Sequence, residues 1–321
     1  MFSTRTVAGS IAAVAMAGVL IVDTRAAGET AGGEIYSPQL DQMNLALAHA
    51  GASYRIDRAE ISVNVDGVDK ATTLIANNRT HQVESLVVDR DPRRGGSPNV
   101  SYLVDQSDGR ALAFANPTGN AAVILPNAVT EGILDRAMQR WQNEPACPGP
   151  AVVKLADNGA DPDIVDALLT NNPALFGTPL SADIVHAGWL PTSFFALLGP
   201  GAERSILGVT FTLIFVDEDG NATDIDNNHR TDTAFREIYY NLGFAWSEGP
   251  SRPRGIDIDS VATHEAGHAF GLGHFGKVFL DNNGALKFSP RAIMNAVYVS
   301  PFTELKATDN ASFCAVWAHR Q

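Results

Sequence analysis

Cysteine is almost absent from this chain, with 2 among 321 residues. A four-cysteine zinc framework or a dense disulfide scaffold is thereby excluded. Positive charge is also scarce: Lys and Arg number 23 against 36 Asp and Glu, a formal net charge of -13. That balance disfavours nucleic acid as a partner and leaves no polybasic patch for a membrane surface. Internal repeats and low-complexity tracts are missing too. Long apolar runs are limited to Val7 to Val22, which is short and Ala/Gly-rich for a membrane span. Following Arg5, and followed by Thr24-Arg25-Ala26-Ala27, this run predicts a secretory signal peptide over 1–27, cut after Ala26 or Ala27. A membrane anchor is the competing reading. No cysteine follows the run to take a lipid. An extracellular or periplasmic location is expected, and with 45% hydrophobic residues the remainder can bury an ordinary core.

What is present is concentrated near the C-terminus. His264-Glu265-Ala266-Gly267-His268-Ala269-Phe270-Gly271-Leu272-Gly273-His274 reads H-E-x-x-H-x-x-G-x-x-H. On a helix, His264 and His268 lie one turn apart and face one point, with Glu265 beside it. Gly271 lets the chain leave the helix in a conformation that other residues resist, so that His274 can return as a third ligand. Three neutral imidazoles with an open fourth position describe a catalytic zinc site, since a structural site fills all four corners. In such a site Glu265 is the candidate general base. Twenty residues beyond His274, Ala292-Ile293-Met294-Asn295-Ala296 forms a short apolar turn centred on Met294.

Together these motifs resemble the metzincin metallopeptidases, whose Met-turn lies beneath the metal. Within that clan the chain is most similar to the matrixins. Ala296 stands where astacins and serralysins carry a ligating tyrosine. Tyr298 matches the tyrosine in the wall of the matrixin S1′ pocket. Leu305-Lys306-Ala307-Thr308-Asp309 resembles the segment opening the last matrixin helix, with Asp309 as the acid that braces the Met-turn and Thr308 as a helix N-cap. Ile238-Tyr239-Tyr240-Asn241 and Trp246 resemble the strand and tryptophan before the active-site helix. Phe275 departs from the usual matrixin serine, and the P-R-C-G-x-P-D cysteine switch is absent, so thiolate latency is not expected.

The resemblance implies an α+β metzincin-type catalytic domain over 121–321: a twisted mixed sheet, an active-site helix, the Met-turn and a C-terminal helix. It also implies a zinc-dependent endopeptidase acting on protein or peptide substrates, as a monomer. A zinc-containing binding or adhesion module without proteolysis, and a hydrolase of non-peptide amides, are the competing functions; retention of Glu265 speaks against the first. Residues 28–120 read as a small β-rich region, either a removable propeptide or an integral extension. Alternation at Ile61, Val63 and Val65, and further stretches to Ala115, signal its strands.

Helices are expected over Gln39–Ala50 and Asn127–Trp141. Strands are expected near Ala151 to Leu155, Ile206 to Val216 and Glu237 to Tyr240. Ile206 to Phe215 is a candidate edge strand for pairing with an extended substrate, or else an internal strand. In an exported chain Cys147 and Cys314 most simply form one disulfide, with two separate buried thiols as the alternative. Asp217-Glu218-Asp219-Gly220-Asn221, continuing through Asp224, Asp226, Asn227 and Asn228, offers oxygen donors for Ca2+ but lacks an EF-hand frame. A solvated acidic turn is the other reading.

Overall fold

The computed structural model describes residues 33–68, 72–77, 99–105, 127–157, 163–165, 182–249 and 255–318. The expected signal peptide over 1–27 lies outside the described residues, as does the strand expected near Ala115. The described helices are α1 (Pro38–His49), α2 (Asn127–Asn143), the short α3 (Thr192–Phe195) and α4 (Ala202–Ser205), α5 (Ile258–Ala269) and α6 (Ala307–Trp317). Among the described residues, no helix is long and apolar enough to cross a membrane.

Eight strands form one mixed sheet: β1 (Glu34–Tyr36), β2 (Tyr54–Val63), β3 (Thr73–Ile75), β4 (Val100–Val104), β5 (Val152–Lys154), β6 (Ile184–Leu190), β7 (Ile206–Phe215) and β8 (Thr233–Asn241). Their spatial order is β1-β3-β2-β7-β8-β6-β4-β5. The β5, β4, β6 and β8 strands are mutually parallel, whereas β7 runs antiparallel to β8 and β2 antiparallel to β7. Two small ribbons complete the set, β9 (Trp246–Ser247) with β10 (Ile256–Asp257), and β11 (Lys277–Leu280) with β12 (Leu286–Ser289). A large mixed sheet with helices on its faces is compatible with the α+β class.

The sheet separates two apolar cores, and the strand period of two sorts side chains between them. On β7, Val209, Phe211, Leu213 and Phe215 point into the core shared with Leu40 and Leu47 of α1. The alternate positions, Gly208, Thr210 and Thr212, are small or hydroxylic. The second core contains Ile133, Ala137, Met138 and Trp141 of α2 together with Val261, Ala262 and Ala266 of α5. Trp141 Nε1 donates to the Thr263 carbonyl at 2.7 Å, so the one polar atom of a buried indole is satisfied.

Two expectations are corrected here. Of the two readings of Ile206–Phe215 the internal strand holds and the edge does not: β7 lies between β2 and β8, and all ten of its residues are buried. A period-two apolar run cannot distinguish edge from interior, because that depends on whether another strand covers its free side. Here β2 does, so strands from both sides of the expected boundary at residue 120 share one sheet. Nor is Thr308 the N-cap of α6. Lys306 holds that position, and Asp309 Oδ2 accepts its N–H at 2.8 Å. The expected disulfide is present: Cys147 and Cys314 join at S–S 2.04 Å, tying the segment after α2 to α6. An intramolecular disulfide fits an oxidising compartment.

Candidate metal centre

Helix α5 carries the first two histidines. Asp257 caps it, accepting from Ser260 N at 3.1 Å and Ser260 Oγ at 2.5 Å. Asp259 in the first turn suits the positive end of the helix dipole. At the far end Leu272 N returns to the Gly267 carbonyl at 3.0 Å and Gly271 adopts φ +86°. The left-handed residue ends the helix and swings the chain so that His274 comes back over it.

The three rings converge. His268 Nε2 lies 3.0 Å from His264 Nε2 and 3.1 Å from His274 Nε2. His264 Nδ1 sits 2.7 Å from the Ile293 carbonyl and His268 Nδ1 2.7 Å from the Leu272 carbonyl. A carbonyl only accepts, so each of these Nδ1 atoms carries the proton and each neutral ring presents a bare Nε2 lone pair. Two bare lone pairs 3.0 Å apart repel. A cation between them removes the conflict, and backbone carbonyls behind the rings are the usual orienting partners of ligand imidazoles. Burial pushes His264 down to about 3 and His268 to about 4, and holds His274 well below the ordinary value. All three are therefore neutral, as ligands must be. The residues fit a divalent metal on donor chemistry as well as on proximity.

Glu265, the residue after the first histidine, is fully buried. Its Oε1 accepts from Ser62 Oγ at 2.5 Å and its Oε2 from Thr210 Oγ1 at 2.6 Å. Burial raises its pKa to about 8, which the two hydroxyl donors oppose. An added positive charge nearby would lower it again. Glu60 lies behind His268, with Oε2 3.5 Å from Nδ1, and burial lifts its carboxyl to about 7.

Beneath the cluster the Ala292-to-Ala296 turn is fixed from two sides. Asp309 is 1% exposed, and its carboxylate accepts from Ile293 N at 3.0 Å and Met294 N at 3.1 Å. Met294 packs under α5 at Gly267, where a Cβ would collide with its sulfur. Tyr298 Oη accepts from Asp257 N at 3.1 Å. The same tyrosine lines a cavity of about 350 Å³ beside His264, together with Ser62, Val261, Ile293 and Phe302.

The chain matches no protein-family model and no curated protein. The centre is thus defined by its own geometry.

Every expected site residue falls in this region. His264, His268 and His274 meet at one point, Glu265 adjoins them, Gly271 turns the chain, and Met294, Asp309 and Tyr298 underlie or flank the cluster. Thr210, Gly208 and the β2 residues Glu60 and Ser62 were not anticipated. Gly208 did carry a signal, since an isolated glycine in an apolar strand run marks close approach. A Cβ there would lie 2.7 Å from Glu265 Oε1.

In the acidic loop, Asp224, Asp226 and Asp232 bring carboxylate oxygens within 4.8 Å of one another. Asp224 accepts from Asn228 N and His229 N, and Asp232 from Thr223 Oγ1 and Ile225 N. These carboxylates accept from the loop's own donors, and Asp232 is buried.

Proposed function

We propose that the chain is a secreted zinc-dependent endopeptidase of the metzincin kind, acting on peptide bonds with Glu265 as general base and acid. One observation carries the reading: three buried histidines turn their Nε2 atoms to one point, two of them with Nδ1 on a backbone carbonyl, and a buried carboxylate adjoins them. A purely structural metal site has no use for that carboxylate. His264, His268 and His274 would hold the ion, which supplies Lewis acidity and makes water nucleophilic near neutral pH. Glu265 takes a proton from the attacking water and passes it to the departing amine. Thr210 fixes the carboxylate in place, so that the proton is exchanged at a defined position. The cavity beside Tyr298, walled by Val261, Val297 and Phe302 and also by Ser260, Lys287 and Arg291, receives the side chain that follows the cut bond.

The test separates loss of ligand from loss of base. His268→Ala should abolish stoichiometric zinc binding and hydrolysis together. Glu265→Ala should bind one zinc per chain and lose at least a hundredfold in turnover, the scale of a missing general base. Full turnover in Glu265→Ala would exclude the assigned role.

A further inference from the structure

The group above the cluster is the chain's own strand β2. It runs antiparallel to β7, with Ile61 opposite Val209 and Ser62 opposite Gly208. Its last residue, Val63, stays paired with Ile206 of β7 after a register shift and also pairs on its other side, in parallel, with Val297. Val63 N donates to the Ala296 carbonyl at 2.9 Å, and Tyr298 N donates to the Val63 carbonyl at 2.7 Å. An extended segment is therefore clamped between a strand and the wall of the cavity, as an added peptide strand would be.

The peptide bond at the centre of that clamp is placed unlike its neighbours. The backbone of Ile61 lies against the His274 ring. Ser62 Oγ donates to the Glu265 carboxylate at 2.5 Å, and the Ser62 backbone lies beside the same group. The Ile61 side of the bond thus faces the metal ligands and the Ser62 side faces the proton donor. Ser62 also sits at the cavity of about 350 Å³, which so small a side chain leaves largely unfilled.

We propose that β2 occupies the cleft as an internal substrate, and that the Ile61–Ser62 peptide bond is cut by the chain's own site once metal is bound. This rests on the peptidase reading above. In the step, a water oxygen bonds to the Ile61 carbonyl carbon and the C–N bond to Ser62 breaks. One water proton passes through Glu265 to the Ser62 nitrogen and the other leaves the new carboxyl group for the same nitrogen, giving an Ile61 carboxylate and a Ser62 ammonium; no oxidant or further reactant is consumed. The single disulfide lies wholly on the C-terminal side of the cut. Strand pairing and the packing of α1 and β2 in the core shared with β7 then hold the N-terminal piece without a covalent link, and the cleft opens when that piece is released.

Full-length protein prepared without metal is incubated with one equivalent of zinc and followed by intact mass and N-terminal sequencing, beside Glu265→Ala. The expected result is a new N-terminus at Ser62 in the wild type alone, appearing at a rate independent of protein concentration, with one zinc bound to both proteins. A second readout needs no turnover: hydrogen exchange of the metal-free wild type should show the Val63 amide protected to the level of β7 amides. Casein hydrolysis with the Ile61–Ser62 bond intact would overturn the internal-substrate assignment and leave the peptidase reading standing. Bound zinc with neither bond cut would overturn both. A rapidly exchanging Val63 amide, or cleavage only at other bonds, would overturn the placement of β2 in the cleft.

Discussion

Replacing Asp309 by alanine should damage stability and metal affinity together, and the size of each effect follows from its contacts. The carboxylate is buried and accepts three backbone N–H groups, from Ile293 at 3.0 Å, Met294 at 3.1 Å and Lys306 at 2.8 Å. A buried donor left without a partner costs about 1–3 kcal/mol. Water admitted to the small void would recover part of this, so the combined loss is on the order of 3–5 kcal/mol. That is a large fraction of the roughly 5–15 kcal/mol by which domains are stable. The effect on the metal is indirect. Ile293 offers the carbonyl that orients His264, through a 2.7 Å contact to Nδ1. When its N–H loses its anchor the carbonyl shifts, and disturbing such outer partners commonly weakens metal binding about 10–100-fold. Urea unfolding of the metal-free protein measures the first quantity, and chelator competition for zinc measures the second. Asp309→Asn, which keeps one acceptor oxygen, should fall between. A midpoint shift equivalent to less than about 0.5 kcal/mol, the level of an ordinary surface change, would refute the assigned role.

Three further outcomes are expected. Removing the disulfide by Cys147→Ala with Cys314→Ala releases a cross-link of sequence separation 167, which in the chain-entropy account is worth up to about 5 kcal/mol; calorimetry should show a lower melting temperature, and an unchanged one would contradict a stabilising cross-link. Glu237 is buried, bonded to Tyr239 Oη at 2.7 Å, and burial raises its pKa from 4.5 to about 8. The unfolded chain loses this proton first, so stability should fall as pH rises from about 4.5 to 8, with a limiting slope near 1.4 kcal/mol per pH unit. Glu237→Gln should flatten that slope in urea unfolding followed across pH; an unaltered slope would show that another group is responsible. Thr210→Val removes the donor at 2.6 Å from Glu265 Oε2, which favours the ionised carboxylate. Its loss should raise the Glu265 pKa and move the acid limb of kcat/KM to higher pH, with bound zinc unchanged. A limb that stays in place would separate Thr210 from the base.

The parts legible in the sequence were those set by local spacing. His264, Glu265 and His268 are fixed by one helical turn, Gly271 by its backbone freedom, and Cys147 with Cys314 by the lack of any other cysteine. Helix α2 was also readable, because it buries a periodic apolar face, whereas α5 was placed by the histidine motif and α6 by the family resemblance of the segment that opens it. The misreadings concern pairing over long distances. The alternation Ile61, Val63 announced a strand, but nothing local states that it would cover β7 some 150 residues later or lie over the histidines. Hence the run Ile206–Phe215 leaves edge and internal strand both open, and nothing local marks Ser62 and Glu60 as neighbours of the site. Thr308 read as a cap because hydroxyls favour that role. Asp309 selected Lys306 instead, by accepting the backbone N–H three residues before it.

The central claim, that this is a zinc peptidase using Glu265, is tested most directly by hydrolysis of unfolded casein. Zinc-loaded wild type and zinc-loaded Glu265→Ala are compared at matched metal content. The account predicts one zinc per chain in both and fragments from the wild type only. Equal hydrolysis by the two proteins, or failure of the wild type to retain zinc, would contradict it.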